Sequence, residues 1–168
     1  FSRQIGMPTN HSDITHAILM AAGCIFARGS FVEEIPYDPN YYFYGEELSM
    51  ALRAFTHGYS FFHIPNAPLF HLYTDTSDIP RKLHWDPEDD QKRAIKWTTL
   101  DQKSLNRLDD LFAGKVEEPM NLGDERSLED YALISGIDLK NNVVLDLEKA
   151  TESSFLESLD WKISPLKQ

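Results

Sequence analysis

Two adjacent carboxylates, Glu46 and Glu47, follow Gly45 in the run YYFYGEELSMALRAFTHGY, and three histidines, His57, His63 and His71, come after them. A carboxylate accepts hydrogen bonds from sugar hydroxyls and stabilises positive charge that develops on a sugar ring. The aromatic side chains on the approach, Tyr41 to Tyr44, offer apolar faces to the C–H surface of such a ring. A plainer origin also exists, because acidic residues are favoured in the first turn of any helix by its dipole. Neighbouring helical residues point about 100° apart. Only one of the two carboxylates therefore faces a given ligand squarely.

The histidine spacing matches no common zinc motif. His57 falls where a helix ends, a place the dipole favours for a histidine whatever the function. His71 lies between Phe70 and Leu72. A partly desolvated imidazole there needs a partner, and a bound metal is one candidate. Asp38, in PYDP, has a local explanation as a turn residue bonding its own backbone. TDTSD (74–78) reads as a loop, and EDD (88–90) as a helix N-terminal charge cluster. No glycine-rich phosphate loop, nucleophile elbow or Cys/His couple is present.

Several elements must position these groups. The apolar run 14–29 contains Gly23 and predicts one or two buried strands. Ser30 with Glu33 predicts a capping box and a short helix closed by Pro36. YDPN (37–40) is turn chemistry. From Glu46 to His57 the residues Leu48, Ala51, Leu52 and Phe55 recur at helical spacing, with Gly58 as the stop. YSFFHI (59–64) predicts a strand and LFHLY (69–73) a second extended segment. Asp86–Pro87 starts a helix expected to reach about Leu111 with a break near Thr98–Thr99, ended by Gly114. Ser127 with Asp130 caps a short helix that stops at Gly136. NVVLDLE (142–148) predicts a last strand, and the residues beyond it a weakly ordered tail.

The chain has 168 residues and 42% hydrophobic content, enough for one domain with a core. Its single cysteine, Cys24, excludes an internal disulfide framework; in an apolar run it is expected to be a buried core thiol. The net charge of −11 opposes nucleic-acid binding, which needs a basic surface. No apolar run approaches the roughly 20 residues of a membrane helix. All six histidines precede Trp85, and 19 of the 27 acidic residues follow residue 84. That shift divides the chain into a core part, 1–84, a helical extension packed on it, 85–150, and the tail, 151–168.

The ordered motifs of 26–73 resemble the GlcNAc-transferase family that includes the UDP-GlcNAc:polypeptide (hydroxyproline) enzyme acting on a cytoplasmic ubiquitin-ligase subunit. The family pattern G-x-F-x-x-E-x-P-Y-D-P is met at Gly29–Pro39, F-x-G-E-E at Phe43–Glu47, R-x-x-T-H-G-Y/W-x-F at Arg53–Phe61 and H-x-Y at His71–Tyr73. A second block, NLGDERSLEDYALISGID (121–138), resembles the family's tail. The resemblance spans about residues 14–138. It implies an α/β GT-A fold, of which this chain, α+β in itself, is expected to be the C-terminal half with appended helices. It also implies a metal-dependent transfer of a sugar, GlcNAc, from a UDP-sugar to a hydroxyl on a protein or glycan. Glu46 and Glu47 match the catalytic carboxylate segment. Tyr44, Gly45, Asp38 and Arg53 match motif positions on the substrate side. His71 matches the metal position, with Mn²⁺ the expected ion. With a single cysteine and no disulfide framework, the chain is expected to be cytoplasmic.

The family's D-x-D-type motif, which holds metal and diphosphate, is not found in residues 1–30. The chain is therefore expected to lack the nucleotide-binding half and to be catalytically incomplete alone. Two other readings stand beside the transferase: an inactive module that binds a protein or glycan through its aromatic patch, and a histidine-based metal binder of unrelated function.

Overall fold

The computed structural model describes residues 14–20, 22–65 and 83–151. They form an α+β arrangement of helices with two small antiparallel sheets. Strand β1 (Thr15–Ala17) pairs with β2 (Phe61–His63), Thr15 opposite His63 and Ala17 opposite Phe61. Between them lie α1 (Phe31–Glu34) and α2 (Glu46–Thr56). Then come α3 (Pro87–Asp90), α4 (Trp97–Phe112) and α5 (Leu128–Ser135). The hairpin of β3 (Ile137–Asp138) and β4 (Val143–Val144) and the short α6 (Leu147–Thr151) follow.

Helix α2 is the centre. Its last two turns, Ala51 to Thr56, are buried on every side, as a helix in the middle of a core must be. One face, Ala51 and Ala54, packs with Met20, Phe31 and Ile35. Another, Leu52 and Phe55, packs with Tyr131 of α5. Leu48, nearer its start, meets the cluster of Tyr41, Leu108, Leu111 and Val116. Residues from both sides of position 85 thus share one set of cores.

The C-terminal end of α2 is held by the loop 121–126. Thr56 O accepts from Glu125 N at 3.0 Å and Arg126 N at 3.2 Å, and Thr56 Oγ1 accepts from Gly123 N at 2.8 Å. The Arg126 guanidinium donates to Tyr59 O and Gly58 O, and stands 4.8 Å over the Phe55 ring. The last carbonyls of a helix lack intrahelical donors and favour a cation; this loop supplies both. Gly123 is required because a Cβ there would lie 2.6 Å from Thr56 O.

Several sequence expectations are corrected. Among the described residues of the 14–29 run only the three-residue β1 is regular; residues 22–29 have no regular structure and are exposed. Cys24 is exposed rather than buried, and Phe26 is 92% exposed. Apolar composition demanded burial there, but no described element packs over this segment. Ser30 sits in the helical region itself and makes no side-chain cap, so the expected capping box does not form. The helical break falls at 91–96, ahead of Thr98–Thr99, because Asp90 Oδ1 accepts from Trp97 N at 2.8 Å and caps α4. The last strand is cut to two residues, since Asp146 terminates it and starts α6. The capping box of Ser127 and Asp130 forms as expected, and Gly136 closes α5 in the left-handed region. The segment 69–73 and the tail after residue 151 lie outside the described residues.

Candidate functional site

The site grows from the entrance to α2. Gly45 precedes the helix at φ +84°, a left-handed conformation that suits glycine. A Cβ there would also press to 3.2 Å from the Tyr41 ring. Glu46 and Glu47 form the first turn, both half-buried. They diverge as their helical angle requires. Glu46 Oε2 accepts a hydrogen bond from the Tyr37 hydroxyl, while Glu47 Oε1 accepts from the Ala22 N–H at 2.6 Å. Glu46 therefore faces the 36–41 turn and Glu47 ties down the 22–24 loop.

Tyr37 was not singled out by sequence. Partial burial, then the hydrogen bond to Glu46, push its hydroxyl pKa up to about 12. At neutral pH it is a donor to the carboxylate. The only sequence signal was its place in PYDP, where it reads as a turn neighbour.

Asp38 is 4% exposed. Its carboxylate accepts from Asn40 N at 3.0 Å, Asn40 Nδ2 at 2.9 Å and Arg107 Nε at 2.9 Å. Burial pushes its pKa up, but the Asn40 and Arg107 hydrogen bonds outweigh it and hold the carboxyl below its usual range. Arg53 is 1% exposed and donates to Pro36 O and Pro119 O, both at 2.8 Å. Its Nε is buried without a hydrogen-bond partner among the described residues. Tyr37, Asp38, Glu46 and Arg53 line one crevice too narrow for a water molecule. Asp38 and Arg53 thus sit behind the carboxylate and hold the turn that carries Tyr37.

Tyr44 is 44% exposed and Phe43 52%. Their rings meet edge to face at 5.2 Å, and Phe43 meets Trp85 at 4.8 Å. Trp85 is the second site residue with no chemical signal in the sequence, where it marks only a change in composition. His57 Nδ1 lies 2.7 Å from Arg53 O, so the ring carries its proton there and serves the helix end. His71 lies outside the described residues. Among the described residues no group of three His, Cys, Asp or Glu side chains is placed to hold a metal ion. No helix among them is long and apolar enough to cross a membrane.

Half-buried carboxylates thus stand beside exposed aromatic rings at the α2 entrance, and a family match over most of the chain makes it an enzyme of the glycosyltransferase class. The model of the family Glycosyltransferase (GlcNAc) matches residues 1–140, and the chain belongs to that family. No curated protein and no solved structure matches it.

Proposed function

We propose that the protein transfers GlcNAc from UDP-GlcNAc to a hydroxyl acceptor, and that the α2 entrance is its donor-sugar corner within the C-terminal part of a GT-A core. The observation that carries this reading is the Tyr37–Glu46 pair. It is a carboxylate on the half-buried first turn of α2, held from the turn side by a phenol and flanked by exposed rings.

The chemistry follows from that placement. As the anomeric C–O bond to the diphosphate lengthens, positive charge builds on the sugar ring. A fixed carboxylate stabilises that charge most when it does not have to reorient during the reaction. Tyr37 supplies the fixing hydrogen bond, and the free lone pairs of Glu46 accept sugar hydroxyl hydrogens. Glu47 is directed to Ala22 and contributes by holding the neighbouring loop.

A divalent cation, Mn²⁺, belongs to the proposal, with His71 as the residue of this chain expected to hold it. The described residues assemble no metal site, so no step is derived through the ion.

The test is turnover of UDP-GlcNAc in Mn²⁺ by the complete enzyme, this chain together with a nucleotide-binding half, read as UDP release with glycan and peptide acceptors. Glu46→Gln is expected to slow it far more than Glu47→Gln, and His71→Ala to raise the Mn²⁺ requirement. Near-parent rates in both glutamate variants overturn the donor-corner assignment. No turnover of any UDP-sugar by the complete parent enzyme overturns the transfer reading.

A further inference from the structure

The turn that carries Tyr37 is fastened to two helices. Before Tyr37, Arg53 of α2 donates to Pro36 O at 2.8 Å. After it, α4 takes hold. Arg107 Nε donates to Asp38 Oδ2 at 2.9 Å, Lys103 Nζ donates to Asn40 Oδ1 at 3.3 Å, and Ser104 Oγ accepts from Tyr42 N at 2.6 Å. Leu108 and Leu111 of the same helix pack with Tyr41. These α4 positions recur three and four residues apart, so one side of the helix makes all of these contacts. Tyr37 stands between the two sets of anchors, and its hydroxyl donates to Glu46. Among the α4 contacts, Arg107–Asp38 pairs opposite charges, and its carboxylate is buried. The other donors to that carboxylate, Asn40 N and Nδ2, belong to the turn itself. Arg107 therefore ties Asp38 to a separate element. A buried carboxylate that loses such a donor must reach water or take up a proton. Either response shifts the backbone next to Tyr37.

We propose that Arg107 is a positioning residue for sugar transfer: through Asp38 it fixes the place of Tyr37, and so the orientation of the Glu46 carboxylate; this rests on the transfer reading above. Arg107 acts at one remove, from a helix that contributes no group to the donor corner. Placement matters because a displacement of about 1 Å in a reacting group can cost a hundredfold in rate. The contact also makes a specific demand on the side chain. It is the Nε that donates to Asp38. Glutamine carries its Nε2 at the same number of bonds from the backbone, and so keeps a donor there without the charge. Methionine has the same length and no donor. The pair of substitutions separates the hydrogen bond that positions Asp38 from the bulk that packs α4.

The experiment has two readouts. On the 168-residue chain, NMR of ¹³Cζ-labelled tyrosine follows the Tyr37 hydroxyl, its signal assigned with Tyr37→Phe. Burial, then the hydrogen bond to Glu46 and the charges of Glu46 and Asp38, hold its pKa at about 12 in the parent. Arg107→Met is expected to let Tyr37 ionise near the ordinary value of about 10, and Arg107→Gln to keep the parent titration. Charge alone acts the other way, because an Asp38 without its arginine would raise the Tyr37 value further; a fall therefore reports lost position. In the complete enzyme, Arg107→Met should lower kcat about tenfold with KM unchanged, the size of one hydrogen bond. Tyr37→Phe should do the same, and the two together no more than Tyr37→Phe alone. Where Arg107→Met does not fold, Asp38→Asn with Arg107→Met removes the unpaired buried charge and is read in the same two ways. An arginine that serves stability alone would leave the Tyr37 titration and the kcat per folded molecule at parent values. That result, multiplying losses in the Tyr37→Phe double variant, or equal behaviour of the methionine and glutamine variants overturns the proposal. The two readings fail separately. Near-parent turnover in Glu46→Gln beside an Arg107-dependent Tyr37 titration sinks the donor corner and leaves the hold on Tyr37. Slow Glu46→Gln beside Arg107→Met at the parent rate sinks the positioning role alone.

Discussion

The two ends of α2 differ in kind. At the C-terminal end the backbone groups are claimed by residues far away in sequence: Thr56 by Gly123, Glu125 and Arg126, and Gly58 and Tyr59 by the Arg126 guanidinium. At the N-terminal end no side chain caps the helix. Its half-buried carboxylates accept from Tyr37 and Ala22, and the preceding residues Phe43 and Gly45 are left-handed. One end is built to close and the other to present groups. The closed end carries the packing, which leaves the open end free to hold strain. Changes at the first should be felt in stability, and changes at the second in chemistry.

The largest expected effect is at the open end. Glu46→Gln should lower turnover about a hundredfold, the scale of losing one preorganised electrostatic contact, with stability within about 0.5 kcal/mol of the parent. Glu47→Gln should lower it much less, because that carboxylate faces Ala22. Rate and denaturant measurements on the same preparations check both. A large stability loss in Glu46→Gln with unchanged turnover would reverse the comparison.

Next in size is the closed end. Gly123→Ala would bring a Cβ against the Thr56 carbonyl and the His57 ring, and backbone cannot move aside as a long side chain can. We expect a loss of about 3 kcal/mol in urea unfolding, the upper range for overpacking. Turnover per folded molecule should stay at the parent value. A stable Gly123→Ala protein would show that the 121–126 loop does not clamp α2.

Asp38 ties the open end to α4. Its folded pKa is lowered, so the fold binds its proton less readily than the unfolded chain. Its stabilisation is complete above the ordinary aspartate value of about 4 and is lost as pH falls through the lower folded value. Asp38→Asn should cost about 2 kcal/mol at pH 7, as for a hydrogen bond to a charged group. The difference from the parent should shrink below pH 4. A difference that stays constant down to pH 2.5 would remove the charge from the explanation.

Local sequence made the closed scaffold legible. Leu48, Ala51, Leu52 and Phe55 marked α2, Gly58 its end, and Ser127, Asp130 and Gly136 bounded α5, because caps and periodicity act within one or two turns. What was hidden depends on distant partners. Tyr37 reaches Glu46 only after the 38–40 turn reverses the chain. The break before α4 is set by Asp90 capping from seven residues away. Cys24, Ile25 and Phe26 look like core by composition, but burial is decided by what packs on them, and the described elements leave them exposed. Glu46 and Glu47 were legible as candidates. Their different hydrogen-bond partners became visible only in the fold.

The smallest effect has the opposite sign and tests the open end most directly. Phe43→Gly should stabilise the fold. Glycine adopts a left-handed φ without the steric conflict of a Cβ, and a strained non-glycine position costs of order 1 kcal/mol or more. Against this stand the greater freedom of glycine in the unfolded chain and the lost contact with Trp85. Because Phe43 is 52% exposed, little core packing is lost, and the net gain should be about 1 kcal/mol at most. If Phe43→Gly is more stable and turns over UDP-GlcNAc more slowly in the complete enzyme, the phenylalanine is retained at a cost to stability for what its ring contacts. If the variant is less stable, the ring is holding the 42–45 loop together, and the open end is as structural as the closed one.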